Sequence, residues 1–221
     1  MRDVFHEDLD KISDDLVEMT KMVGTAMKRA TRSLLEQNLA TAESVITADD
    51  DIDILRRQVD NRAVDLLARQ QPVATDLRMV VTAMHMASDI ERMGDLARHV
   101  AKVARIRYPD SAVPDELRDT IIEMAAVSER LIDAIGEAIT DKGVHGAIAI
   151  EKIDDEMDRL HRKVFSTLLG QTWTHGVEAA VDATLIGRYY ERFGDHAVAV
   201  ANRIIYLVTG RYGTEDEGLE C

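Results

Sequence analysis

Cysteine is almost absent from this chain: the one thiol, Cys221, is the last residue, which excludes a disulfide framework and a thiolate metal site. Aromatic residues make up only 4% and prolines number 3, while Ala, Leu, Ile, Val, Met, Glu, Asp and Arg dominate, the vocabulary of helices. No apolar run reaches ~18 residues and no signal peptide opens the chain, so a soluble, cytoplasmic protein without a transmembrane segment is expected. Basic residues are outnumbered 27 to 41, giving a net charge of −14. That balance counts against nucleic acid as the main partner, because phosphate binding needs a basic surface. It is compatible with binding cations. No Ser/His/Asp or Cys/His arrangement and no glycine-rich phosphate loop can be assembled.

What is present is helical periodicity almost everywhere. Leu9, Ile12, Leu16, Met19, Val23, Met27, Ala30 and Leu34 step by three or four, predicting a helix from Val4 to Leu35. Gln37-Asn38 reads as a break, and a second helix runs from Ala40 to Arg69. Gln70-Gln71-Pro72 closes it, and a third extends to Arg107. The segment 108–114, with two of the prolines, is the one linker-like stretch. Three further helices are predicted over 115–140, 144–172 and 176–209, followed by an acidic tail, 210–221. Helices of ~30 residues span ~45 Å and must pack lengthwise. The expected fold is therefore all-α: two tandem three-helix bundles, 1–107 and 115–209, joined by 108–114.

An internal repeat supports that division. Glu91-Arg92-Met93-Gly94-Asp95 recurs one hundred residues later as Glu191-Arg192-Phe193-Gly194-Asp195, with Val81/Val181, Ala83/Ala183, Ala97/Ala197, Val100/Val200 and Ala101/Ala201 matching around it. Each copy sets two acids at i, i+4, where like charges repel by roughly a few tenths of a kcal/mol. A second pair, Asp49 and Asp53, recurs as Asp154 and Asp158. If neighbouring helices are antiparallel, Asp49 comes level with Asp95 and Asp53 with Glu91 when the turn lies at Pro72. Asp154 comes level with Asp195 and Asp158 with Glu191 when it lies near Thr174-His175. Four carboxylates per bundle then meet at one height, and a hard cation is the natural remedy for their repulsion. Helical angles put Glu91 and Asp95 roughly opposite the apolar stripe, so such sites are expected on the surface.

Each feature also has a plainer account. Acids on helix faces are usually solvated, and Asp49, Asp53, Asp154 and Asp158 sit where they favour a helix dipole. Gly94 and Gly194, costing ~1 kcal/mol each in a helix, point to close approach of a neighbouring backbone. Arg92 and Arg192 read as surface ion-pair residues or as contacts for a partner's carboxylate or phosphate. His161 and His196 stand near acids of the second half only; the first half has Arg56 and Leu96 there.

The paired E-R-x-G-D and D-x-x-x-D phrases, with Pro72-Val73-Ala74-Thr75-Asp76-Leu77-Arg78 and Tyr189-Tyr190-Glu191-Arg192-Phe193-Gly194-Asp195-His196-Ala197, resemble the PhoU family of bacterial phosphate-system regulators. The resemblance runs from Phe5 to about Arg211. It implies a cytoplasmic negative regulator that links the phosphate ABC transporter to a sensor histidine kinase, with a homodimer left open. It also implies metal sites, with iron, zinc, manganese or magnesium held by Asp49, Asp53, Glu91 and Asp95 and by Asp154, Asp158, Glu191 and Asp195. Asp89 precedes the first phrase where Tyr189 precedes the second, so the two sites are expected to differ. The alternatives are a carboxylate-bridged metalloenzyme, although the chain has no Glu-x-x-His element of the kind that class uses, and a metal-free helical scaffold.

Overall fold

A computed structural model describes residues 2–141 and 143–211. It contains α1 (Arg2–Glu36), α2 (Leu39–Gln70), α3 (Thr75–Arg107), α4 (Asp115–Asp141), α5 (Val144–Leu168) and α6 (Gly176–Thr209), with no strand among the described residues. The breaks fall where local chemistry puts them. Gln37 and Gln71 adopt positive φ, and the Asn38 side chain caps α2 by accepting from the Thr41 amide at 2.9 Å. α5 stops at Leu168 rather than Thr172. The Gly170 amide turns back to the Thr167 carbonyl at 3.1 Å, and the Trp173 indole donates to the Gly176 carbonyl at 3.1 Å, organising the loop instead of a last helical turn. Residues 212–221, most of the expected tail, lie outside the described residues.

Within each half the three helices pack on one another, α1, α2 and α3, then α4, α5 and α6. The halves then meet along α1 with α4 and α3 with α6. The result is a closed ring, α1–α3–α6–α4, with α2 and α5 laid on its two flanks. Cross-half contacts give the direction. Arg78 donates to the Tyr206 carbonyl while Arg107, at the other end of α3, reaches Asp182, so α3 and α6 are antiparallel. Lys28 with Glu129 and Arg118 with the Leu35 carbonyl show the same for α1 and α4. The two halves are thus related by a pseudo-two-fold axis across the middle of the ring.

One apolar core runs through both halves, from Ile12, Leu16 and Met19 through Ile90 and Met93 to Leu131, Tyr190 and Phe193. Small buried residues repeat along the central pair: Ala83, Ala97 and Ala101 on α3 and Ala183, Ala197 and Ala201 on α6. Small side chains let helix axes approach closely. The largest buried side chain with a polar group is Tyr190, which is fully buried. The Thr31 hydroxyl is already committed as donor to the Met27 carbonyl at 2.8 Å. The Tyr190 hydroxyl therefore donates to Thr31 Oγ1, 2.6 Å away, across the diagonal from α6 to α1.

This direction of donation makes the two ends unequal. Tyr190→Phe removes one hydrogen bond and should cost about 1 kcal/mol, because Thr31 keeps its bond to Met27. Thr31→Val strands a buried phenol hydroxyl and should cost more, about 1–3 kcal/mol. Urea denaturation of both variants measures this, and an equal or smaller cost for Thr31→Val would show that the phenol finds another partner.

Candidate metal centres

The α2–α3 and α5–α6 hairpins bring the acids together as the register predicts. In the first half Asp49 and Asp53 on α2 face Glu91 and Asp95 on α3, close enough that Asp95 and Asp53 disfavour the charge on both Asp49 and Glu91. In the second half Asp154 and Asp158 on α5 face Glu191 and Asp195 on α6, again within mutual electrostatic reach.

Their setting is mixed: Asp195 is exposed and the Asp158 side chain is 47% exposed, as a surface position requires, whereas other members are covered. Asp49 is buried at 6% exposure, and the side chains of Glu91, Asp95 and Glu191 are only about one-seventh to one-sixth exposed. Helical angles locate a residue relative to its own helix, but α2 and α5 lie over α3 and α6 on that side and cover part of it. The clusters therefore occupy the seams between helices. The ring interior is filled by apolar side chains, so the geometry lends no support to a di-metal enzyme centre in the core.

The glycines of the repeated phrase belong to these seams. A Cβ at Gly194 would collide with Asp154 Oδ1 and come 3.1 Å from its Cγ. One at Gly94 would meet Ile52 Cδ1 at 3.0 Å and Asp49 Oδ1 at 3.6 Å. What approaches is thus a side chain of the facing helix, not its backbone, and in both halves the aspartate is among the atoms met. The missing Cβ is the cradle in which the carboxylate lies.

The two clusters are neutralised differently. In the first, Arg98 Nη1 lies 3.1 Å from Asp49 Oδ2 and Nη2 contacts Asp95 Oδ1. Arg92 Nη1 adds a contact to Asp95 Oδ2 at 2.8 Å and its Nε lies 3.7 Å from Glu91. Burial pushes the Asp49 carboxyl up and Arg98 opposes it. The second cluster has Val198 in place of Arg98. There Arg188 pairs with Glu191 Oε1, and Arg162 lies 3.8 Å from Asp158, both from the exposed rim. Asp154 Oδ1, Glu191 Oε2 and His161 Nε2 are buried with no hydrogen-bond partner. Burial, then the charges of Asp158, Asp195 and Glu191, push the Asp154 carboxyl up to about 7. Burial likewise lowers His161, favouring the neutral imidazole.

The chemistry of the second cluster fits a cation. Buried, unpartnered oxygens and a neutral imidazole are ligands in need of a positive partner, and the glycine cradle admits one of them. Among the described residues no three of these side chains are already gathered as a ligand set. The carboxylates repel one another, and a cation would have to draw them in by side-chain rotation.

Other sequence expectations resolve plainly. Asp89 turns away from the first cluster and accepts from His196 Nδ1 at 3.2 Å and Arg203 Nε at 2.6 Å, tying α3 to α6. Burial alone would raise Asp89, but these bonds outweigh it and hold the carboxyl low. His196 thus serves the interface between halves and is no part of a metal cluster. Tyr189 stacks on His99 with ring centres 5.2 Å apart. Arg92 is an exposed ion-pair residue, and Arg192 is exposed with no ion pair among the described residues. Arg98 was not anticipated, although comparing Arg98 with Val198 across the repeat marks it.

The comparisons with known proteins agree with this architecture. A family model described as the PhoU domain matches twice, over residues 16–104 and 121–204, once in each half. The chain is 46% identical over 212 residues to the phosphate-specific transport system accessory protein PhoU homolog 2 of Mycobacterium tuberculosis, covering 96% of this chain and 100% of that protein. It is 45% identical to PhoU homolog 1 of Mycobacterium leprae, over 98% of this chain and 97% of that one. Among solved structures, PhoU from Pseudomonas aeruginosa matches with a TM-score of 0.82 at 24% identity, covering 94% of this chain and 100% of that chain. The phosphate transport system regulatory protein PhoU from Streptococcus pneumoniae matches with a TM-score of 0.84 at 22% identity, covering 95% and 99%.

The raised Asp154 carboxyl has a consequence for stability. An acid whose folded pKa lies above its unfolded value destabilises the fold once it must ionise, from about pH 4 upward and fully above about pH 7. After treatment with a chelator, Asp154→Asn should match the parent in stability near pH 4. It should be more stable by about 1–2 kcal/mol at pH 8, allowing for solvent screening of this half-buried group. Thermal denaturation at the two pH values checks this, and an equal gain at both would assign it to something other than the charge.

Proposed function

The chain belongs to the PhoU family, and from that premise we propose that it is a cytoplasmic negative regulator of phosphate uptake and of the response to phosphate starvation. In this reading it couples a phosphate ABC transporter to a sensor histidine kinase. The observation that carries the proposal is the match of both halves, end to end, to proteins named as phosphate-specific transport accessory proteins. No helix among the described residues is long and apolar enough to cross a membrane, which fits a protein that visits the transporter from one side.

A coupling protein works by presenting surfaces, and the fold offers two flanks built on one plan. Each flank carries a carboxylate seam, formed by α2 with α3 or α5 with α6. Asp154, Asp158, Glu191 and Asp195 would hold a divalent or ferric ion such as iron, zinc, manganese or magnesium, and the ion would supply the positive charge that this seam lacks. The residues themselves set the site: Gly194 leaves room for Asp154, and Arg188 holds one oxygen of Glu191 so that the other is free. Their role on this reading is structural and electrostatic, shaping the flank that a partner meets.

Deleting the gene in its host should switch on phosphate-starvation genes in phosphate-rich medium, and complementation should silence them again. A reporter that stays silent in the deletion strain would overturn the regulatory reading. Purified chain should also retain the cytoplasmic part of the kinase in a pull-down, and failure there would remove the kinase as the direct partner.

A further inference from the structure

We propose that Arg98 is a built-in cation that closes the first carboxylate cluster, so that metal is taken up at the second cluster alone, where His161 adds a nitrogen ligand to Asp154, Asp158, Glu191 and Asp195. The inference rests on the metal part of the reading above and divides it between the two halves.

The repeat makes the comparison direct. At the position after the acidic phrase that faces the seam, α3 carries Arg98 and α6 carries Val198. At the position after the D-x-x-x-D pair, α2 carries Arg56 and α5 carries His161. Both flanking positions thus hold a guanidinium in the first half and an uncharged or ligating side chain in the second. Arg98 spans the seam, contacting Asp49 on α2 and Asp95 on α3. A guanidinium is charged at every relevant pH and presents a rigid fork of donors. It therefore satisfies the buried carboxylate permanently, and a metal ion could enter only against its repulsion. Arg56 adds a further positive charge near Glu91 while held by Asp60 at 2.8 Å.

The second seam has no such bridge. Its arginines, Arg188 and Arg162, approach from the solvent edge and leave Asp154 Oδ1 and Glu191 Oε2 without partners. His161 lies one turn beyond Asp158, within electrostatic reach of Arg188 first and then of Asp158 and Asp195, and packs against Phe165 with ring centres 5.0 Å apart. Its Nε2 is buried and unpartnered. Two hard oxygens and one imidazole nitrogen favour zinc, iron or manganese over magnesium or calcium.

The test is metal content per full-length chain after loading with Zn²⁺ and desalting, read by elemental analysis, with Co²⁺ absorption reporting nitrogen ligation. The Glu91→Gln/Asp95→Asn variant should bind as much metal as the parent, and Asp154→Asn/Glu191→Gln should fall to background. Arg98→Val should double the content. His161→Gln should weaken binding about tenfold or more and change the Co²⁺ spectrum. Equal losses from the two carboxylate double variants would overturn the inequivalence while leaving the metal reading standing. A parent that binds no metal would sink the metal reading and this inference with it. An unchanged Co²⁺ spectrum in His161→Gln would remove the histidine alone. Should Arg98→Val fail to fold by circular dichroism, Arg98→Gln removes the same charge, and the two double variants decide the question without it.

Discussion

Everything else in this molecule hangs on the antiparallel seam between α3 and α6. These helices bury small residues at matching places along the repeat, so their axes can close on each other across the pseudo-two-fold axis. Once they do, α1 and α4 must close the ring to cover the remaining apolar faces, and α2 and α5 are left to cap its flanks. Polar contacts pin the arrangement at the ends and middle: Arg107 with Glu178 and Asp182, Arg78 with Tyr206, and Asp89 with His196 and Arg203. The same two helices carry the repeated acidic phrase on the faces turned toward α2 and α5, so the carboxylate clusters lie on the flanks of the central pair.

Those clusters show two physical answers to one problem. Partly buried like charges are costly, and the chain must supply counter-charge or leave ligands open. The first half supplies it internally through Arg98, with Arg92 at the rim. The second leaves Asp154 and Glu191 with unpartnered oxygens and a strongly raised Asp154 carboxyl. A duplicated fold has thus kept one geometry while its electrostatics diverged, which is how two copies of a unit can take different roles.

Much of this was readable in the chain itself. Six helices, their breaks at Gln37, Gln71 and 108–114, and the pairing of Asp49 with Asp95 and Asp154 with Asp195 follow from period, turn chemistry and the repeat. These are local properties, or follow from one short hairpin. What escaped was whatever needed a third neighbour. The acids were expected at the surface, and Asp195 and Asp158 reach it, but an angle on α3 does not know that α2 covers Asp49 and Glu91. Gly94 and Gly194 read as backbone contacts because only the folded hairpin shows a carboxylate beside each. Asp89 marked a difference between the two copies, but only α6 shows that its partners are His196 and Arg203.

The amino-acid sequence by itself determined the helices, the two-fold repeat and the eight acids that meet in pairs, because each depends on spacing along one helix or across one turn. Only the tertiary structure decided how the halves join into a ring and which charges find partners. Those outcomes depend on side chains brought together from distant segments, where Arg98 bridges two acids of the first cluster and Val198, its counterpart, leaves the second without such a bridge.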